Sequence, residues 1–238
     1  MSTSGIISLK CPQCGEEFEA KSFTVVRGDR DFKLKETILS GEFDLFMCPA
    51  CSGVFSHEEP FIYLDPDMEI FAFVLPEKYL EEKEKWIKKI SGDYADIRDS
   101  LKKDPSFSFE QKFLFGIGSL IELLSADRDA QEETEVIEFI AKDFKMNFCR
   151  ISPSFARNQS LPFSVPYLTE KPEQRASDSS GAGSNASQPE KKTCLEALKK
   201  IMSANQSLPR LKNLMKLLEL LESEEISFAK NGKNISLK

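Results

Sequence analysis

The chain carries two matching stretches, Cys11-Pro12-Gln13-Cys14-Gly15 and Cys48-Pro49-Ala50-Cys51-Ser52-Gly53, with 33 residues between Cys14 and Cys48. Each Cys-Pro-x-Cys pair is typical of a short turn, or knuckle, that presents two sulfur atoms to one ion. Two such knuckles complete a tetrahedral shell of four thiolates. A shell filled by protein ligands has no position for water or substrate, so the predicted site is structural. The predicted metal ligands are Cys11, Cys14, Cys48 and Cys51.

Other uses of these cysteines are weaker alternatives. A redox dithiol usually stands as a single pair before a helix. Four buried cysteines without metal would have no need of the paired spacing. One Zn²⁺ ion is therefore predicted, and iron is the chief chemical alternative because the same four thiolates bind it well.

Short apolar segments around the knuckles predict a strand-rich domain. The segment 32–39 has apolar residues on one helical face and is followed by Ser40-Gly41, which predicts a short helix. Asp65-Pro66-Asp67 is a turn signal between two strands that it joins into a hairpin. The predicted strands are 6–10, 17–26, 43–47, 54–57, 61–64 and 70–75.

Helical periodicity replaces this pattern after Pro76. One predicted helix covers 77–90 and is broken at Gly92, and a second covers 94–103. A third, opened by a capping box at Ser108 and Gln111, has an apolar face of Phe113, Ile117, Leu120, Ile121 and Leu124. A fourth is capped by Asp129 and carries Val136, Ile137, Ile140 and Phe144.

The last third of the chain changes composition twice. Three prolines between 151 and 171 predict an extended connector, and 172–192 has too few large apolar residues to fold. Two helices and a hairpin turning at Asn231-Gly232 are then predicted. The predicted domains are a zinc-ribbon-like domain at 1–80, a helical region at 81–148, a linker at 149–192 and a tail domain at 193–238.

The fold class predicted from these patterns is α+β. It comprises a zinc-ribbon-like antiparallel β domain with a helical insertion, a small helical region, and a C-terminal helix–helix–hairpin segment.

The two Cys-Pro-x-Cys pairs, the insertion with its helix ending in Ser40-Gly41, and the Leu64-Asp65-Pro66 hairpin ending at Pro76 resemble the CpXC domain family over residues 6–80. The resemblance implies a bacterial or archaeal domain that binds zinc through its four cysteines, and it implies no particular activity. Ser52 departs from the pattern, because the residue directly after the second cysteine of a knuckle is usually glycine.

Charge and composition limit the classes of partner. The net charge is −7, yet residues 190–238 carry ten Lys or Arg against six Glu, which leaves an acidic body that suits nucleic acid poorly. The chain has no apolar run long enough to cross a membrane, and its first ten residues do not resemble a secretory signal. Six clustered cysteines favour a reducing, cytoplasmic setting.

The other reactive residues have ordinary structural explanations. His57 would be a fifth donor to a full shell, Cys149 and Cys194 are single cysteines suited to burial, Asp65 and Asp67 suit a turn, and the acidic run 127–135 suits a solvated helix start. No catalytic constellation is present in the sequence, so we expect the protein not to be an enzyme. The predicted function is a zinc-binding protein-interaction module. The alternative is a regulatory nucleic-acid-binding protein that uses the basic tail.

Overall fold

A computed structural model of the chain describes residues 1–101, 109–168, 191–204, 211–223, 226–228 and 235–237. The chain divides into two compact units, Met1–Ala126 and Asp127–Lys238. In the described ranges the helices are α1 (Phe32–Leu39), α2 (Lys83–Leu101), α3 (Ile117–Asp143), α4 (Pro153–Gln159), α5 (Lys191–Ala204) and α6 (Lys212–Glu222). The strands there are β1 (Thr3–Lys10), β2 (Glu17–Arg27), β3 (Leu45–Met47), β4 (Val54–Ser56), β5 (Phe61–Asp65), β6 (Ile70–Leu75), β7 (Gln111–Phe115), β8 (Asn147–Arg150), β9 (Ser164–Tyr167), β10 (Ile226–Phe228) and β11 (Ile235–Leu237).

The first unit is built on a five-stranded sheet in the order β1-β2-β5-β6-β7. Antiparallel hairpins join β1 to β2 and β5 to β6, but β2 pairs parallel with β5, and β6 pairs parallel with β7. The prediction of an entirely antiparallel sheet is therefore wrong. Parallel neighbours need long crossover connections. The segment with α1 and the small β3–β4 sheet supplies one crossover, and the segment with α2 supplies the other.

Strand β6 lies inside the sheet between β5 and β7, and all six of its residues are buried. Alternate side chains point to opposite faces of a strand. Ile70, Ala72 and Val74 accordingly pack in one apolar cluster with Tyr63 and Leu120. Phe71 and Phe73 pack in a second cluster, whose other buried members are Leu64 and Tyr94.

All six predicted strands and the helix at 32–39 are confirmed, whereas the helices after Pro76 need correction. Helix α2 runs through Gly92, because one glycine weakens a helix without ending it. Phe113 lies in β7, where it pairs with Phe73, because a short apolar run satisfies a strand as well as a helix. Asp129 caps nothing, since α3 is continuous. Ser108 lies outside the described residues.

The second unit contradicts the extended connector predicted at 151–171 over its described residues, 151–168. Strand β8 pairs antiparallel with β9, and α4 lies between them with Pro153 in its first turn, where proline is well tolerated. The rest of the predicted linker, 169–190, lies outside the described residues. Helices α5 and α6 and the antiparallel pair β10–β11 follow in the predicted order, and the turn at Asn231-Gly232 also lies outside the described part.

Polar side chains of α3 hold this second unit together. Thr134 Oγ1 accepts a hydrogen bond from the backbone N–H of Phe163 at 2.9 Å. Glu133 accepts bonds from the N–H groups of Asn213 and Leu214 at the start of α6, at 3.2 and 2.8 Å. Within the described ranges, no helix combines the length and apolar character that a membrane span requires.

Replacing Thr134 with valine tests the most buried of these bonds. Thr134→Val keeps the shape of the side chain and removes the acceptor, so the buried Phe163 N–H loses its partner. We expect the free energy of unfolding to fall by about 1–3 kcal/mol. Urea unfolding followed by far-ultraviolet circular dichroism measures it. Thr134→Ser, which keeps the hydroxyl, is the matched control, and an equal loss in both variants would contradict the assignment.

Candidate metal centre

Each cysteine pair lies in a knuckle closed by two backbone hydrogen bonds. In the first knuckle, the Cys11 N–H donates to Glu16 O at 2.8 Å, and the Gly15 N–H donates to Cys11 O at 3.0 Å. The second knuckle repeats both bonds at 2.9 Å, from the Cys48 N–H to Gly53 O and from the Ser52 N–H to Cys48 O. The two turns thus have the same pattern of backbone hydrogen bonds, and each presents its two cysteines from equivalent positions.

Two hairpins bring the knuckles together. The first knuckle joins β1 to β2, and the second joins β3 to β4. Beneath the second knuckle, the ring of Phe55 on β4 lies edge-on to Phe18 on β2, with centroids 6.2 Å apart, and tilted to Phe46 on β3, at 6.4 Å. These aromatic contacts fix β3–β4 against the long β1–β2 hairpin.

The four sulfur atoms lie within 4.8 Å of one another. The Sγ–Sγ distance is 3.7 Å between Cys11 and Cys51 and 3.6 Å between Cys14 and Cys48. A tetrahedral zinc ion with Zn–S bonds of about 2.3 Å needs S–S edges of about 3.8 Å. Disulfide bonds are about 2.05 Å long, so these are free thiols at the spacing of a metal shell. The donor set therefore fits a metal ion.

Burial differs within each pair. The first cysteine of each knuckle, Cys11 or Cys48, is buried, whereas Cys14 and Cys51 are exposed. The Gln13 side chain lies over the second knuckle, 4.0 Å from Cys51 Sγ, and a Cβ atom at position 53 would overlap it. A side chain at position 53 would therefore require the flexible end of Gln13 to move.

The pKa values of the clustered thiols differ, because ionisation of one thiol opposes ionisation of its neighbours. The backbone N–H of Cys14 donates to Cys11 Sγ and lowers the pKa of Cys11 to about 6. The backbone N–H of Glu16 acts in the same direction on Cys14, but burial and the other three thiols outweigh it and raise the pKa of Cys14 to about 12. Bonds from the Gly53 backbone and the Cys14 thiol lower the pKa of Cys51, but burial, Cys11 and Cys48 outweigh them, and this pKa is also raised. One thiolate forms readily, and further ones require compensating positive charge.

Other reactive residues considered in the sequence do not belong to this group of described ligands. His57 Nε2 is 2.8 Å from Glu59 Oε1, and among the described residues it does not belong to the metal-ligating group. Cys149 and Cys194 are buried in the second unit. Burial raises the pKa of both, and it raises that of Cys194 to about 12 with a contribution from Cys149.

Several carboxylates have roles that the sequence did not predict. Asp65 caps its turn, as expected of a turn residue, but it also forms a buried ion pair with Lys35 at 2.9 Å. Asp127 was predicted to be part of a solvated helix start. Instead it lies inside α3 and binds Arg157 through two bonds of 2.7 Å. No local pattern reveals a pair whose members are 30 residues apart.

Comparison with known proteins identifies one family. The family model described as CpXC protein matches residues 9–140, which is more than half of the chain and extends beyond the predicted span of 6–80 through β7 into α3. Searches of curated proteins and of solved structures return no match.

Ser52 is the weak point of the second knuckle. Its φ is 59°, in the left-handed region, where the equivalent Gly15 has a φ of 78°. We expect Ser52→Gly to raise stability by about 1 kcal/mol, because glycine adopts this conformation without the steric penalty of a side chain. Thermal unfolding measures the change.

Gly15→Ser is the reciprocal control. A Cβ at Gly15 would meet no atom within 4 Å, so any loss of stability comes from the backbone and not from a clash. A gain in Gly15→Ser, or a loss in Ser52→Gly, would contradict the equivalence of the two knuckles.

Proposed function

Because the chain belongs to the CpXC protein family, we propose that Cys11, Cys14, Cys48 and Cys51 hold one structural Zn²⁺ ion in a zinc-ribbon-like arrangement. We propose further that the protein is a non-catalytic protein-interaction module. The observation that carries the metal proposal is the group of four sulfur atoms, spaced like the corners of a thiolate tetrahedron.

A structural role follows from the closed shell and from the small size of the elements it joins. Strands β3 and β4 have three residues each, and an isolated two-stranded sheet is at best marginally stable. An ion bound to both knuckles would anchor β3–β4 to β1–β2. Zinc is preferred to iron because a closed tetrahedral Cys₄ shell is its usual structural site, although iron accepts the same ligands.

Support for protein interaction comes from the outer face of β3–β4. Leu45 pairs with Ser56, and Met47 pairs with Val54, so these four side chains share one face of the small sheet. Leu45, Met47 and Val54 are 44%, 66% and 56% exposed. An apolar group of this kind beside a metal knuckle is a surface that a partner protein would cover.

Nucleic-acid binding is a second candidate, supported by helix α5. Lys191, Lys192 and Lys199 line one shallow recess together with Leu195 and Glu196. Clustered lysines on one helix face attract phosphate. This recess lies in the second unit, so the candidate is independent of the cysteines.

Metal content and chelation test the primary proposal. We expect about one zinc ion per purified chain by mass spectrometry, and loss of that ion in Cys14→Ala. Chelation should increase hydrogen exchange at 45–56, because the ion holds β3–β4 in place. Cys149→Ala removes a cysteine outside the cluster and should retain the ion. A chain without metal, or unchanged exchange after chelation, would contradict the proposal.

The affinity of the four thiols for the metal ion should also fall as the pH falls. The pKa of Cys14 is about 12 in the metal-free chain, so the ion must displace a proton from this thiol at neutral pH. Acidification favours the protonated thiol and therefore favours metal release. A competition titration with a chromogenic chelator between pH 8 and pH 5 measures this direction. An affinity that rises with acidification would contradict thiolate ligation.

The nucleic-acid candidate is tested by fluorescence anisotropy with a labelled 20-base-pair DNA duplex. Affinity should fall by orders of magnitude between about 50 and 200 mM salt if several phosphates are contacted. Lys191→Gln with Lys192→Gln should weaken binding, while Lys85→Gln, an exposed lysine of the first unit, should not. Binding that is absent or independent of salt would eliminate this candidate.

A further inference from the structure

The first unit contains a cavity of about 260 Å³ beside the β3–β4 sheet. Three aromatic side chains form part of its wall, and the ring centroids are 5.9 Å apart for Phe23 and Phe43 and 4.9 Å apart for Phe43 and Phe61. An apolar cavity of about 150 Å³ accommodates a benzene ring. This cavity is therefore large enough for an aromatic or branched aliphatic side chain.

A second, more open recess continues from this cavity. Both are lined by Asp44, His57, Glu58, Pro76 and Ile117, and the second adds Ser56, Glu77 and Lys78. The two form one groove, with an aromatic end and a polar end. Leu45 lines the aromatic end and also belongs to the exposed apolar face of β3–β4, so the groove continues onto that face.

The charges of the groove are predominantly negative. Carboxylates outnumber ammonium groups four to two, and the charged side chains are Asp44, Glu58, Glu59, Glu77, Lys21 and Lys78. Glu58 is engaged by the backbone N–H groups of Glu77 and Ile117 at 2.7 and 3.3 Å, and Asp44 accepts a bond from Ser56. Glu59 contacts His57 and keeps 43% of its side chain exposed, which leaves it accessible to a ligand.

The aromatic wall already interacts with an ammonium group of the chain itself. Lys21 Nζ lies 4.8 Å from the centroid of the Phe23 ring, within the range of a cation–π interaction. A positively charged ligand would therefore find a favourable ring face, and it would compete with Lys21 for that face.

We propose that this groove binds an extended segment of a partner protein that carries an apolar side chain next to lysine or arginine. The apolar side chain enters the aromatic cavity, and the cation lies against Glu59 and the adjoining carboxylates. Charge complementarity favours a basic segment, and the continuation onto β3–β4 favours a peptide over a small molecule. The proposal rests on the interaction function proposed above, and it assigns a surface and a partner chemistry to it.

The test uses the full-length chain and a fluorescein-labelled heptapeptide of alternating phenylalanine and lysine, with blocked ends. We expect saturable binding by fluorescence anisotropy. A peptide with glutamate in place of lysine, and one with alanine in place of phenylalanine, should each bind much more weakly. Absent or unsaturable binding of the first peptide overturns the proposal, as does equally tight binding of the alanine peptide or of phenethylamine alone.

Two charge variants of the chain should change the affinity for the peptide in opposite directions. Glu59→Gln removes an attractive charge and should weaken peptide binding about two- to fivefold, as expected for one exposed ion pair. Lys21→Gln removes a competing cation and should strengthen binding by a similar factor. Glu36→Gln alters an exposed carboxylate of α1 outside the groove and should have no effect. Changes of the same sign in the first two variants would overturn the assignment.

The apolar contact is tested with two exposed apolar residues. Leu45→Ser alters a lining residue and should weaken peptide binding, whereas Ile6→Ser alters an exposed residue of β1 that lies outside both the groove and the β3–β4 face and should have no effect. Equal effects would place the peptide elsewhere and overturn the proposal. If light scattering shows the wild-type chain to be a dimer that Leu45→Ser dissociates, the groove is occupied by a second copy, which also overturns it.

Failure of this inference is distinguishable from failure of the interaction function. The wild-type chain and a Leu45→Ser/Glu59→Gln variant are compared in capture of partners from lysate. If both chains retain the same partners equally, the groove is not the binding site, and the proposed interaction function is not contradicted. No retained partner with the wild-type chain, together with no binding of the heptapeptide, overturns both.

Discussion

The candidate metal centre requires two short turns to lie close together. Each knuckle is rigid by itself, because its two backbone hydrogen bonds and its proline leave the turn little freedom. Side-chain contacts such as Phe18 with Phe55 set the position of β3–β4 relative to the β1–β2 hairpin. An ion bound by the four thiols, which lie within 4.8 Å of one another, would add a second constraint between these two hairpins.

The crossover between the paired strands explains why the knuckles are far apart in sequence. Strand β2 leaves the first knuckle and pairs parallel with β5, so the chain must return to the other end of the sheet before β5 begins. Helix α1 and the β3–β4 sheet occupy that return, and Ile38 of α1 packs in the main apolar cluster. The second knuckle lies within this crossover, so β2, α1 and β3 all separate the two cysteine pairs in sequence.

The parts of the fold and of the candidate metal centre that the sequence predicts are those set by residues close together in the chain. Local patterns were sufficient for the first six strands, for α1 and for the grouping of the four cysteines, since turn residues and apolar alternation act within a few residues. Segment 111–115 could not be assigned this way, because its strand state depends on pairing with Phe73 and its neighbours 40 residues earlier. The extended connector predicted at 151–171 is wrong over 151–168 for a similar reason. Its prolines indicated extended chain, but Pro153 opens a helix and the strands on either side pair with each other.

The acidic residues show why net charge alone is a poor guide to the surface. Glu58 accepts hydrogen bonds from the backbone N–H groups of Glu77 and Ile117. Glu133 accepts one from Leu214 at the start of α6. Asp127 is buried in an ion pair with Arg157. These carboxylates satisfy backbone donors and a buried guanidinium, so their charge is largely compensated within the fold. Glu59 differs because its described contact is with the His57 imidazole and 43% of its side chain remains exposed. The charge exposed in the groove beside β3–β4 is therefore set by the few carboxylates that the fold leaves uncompensated, and it is negative.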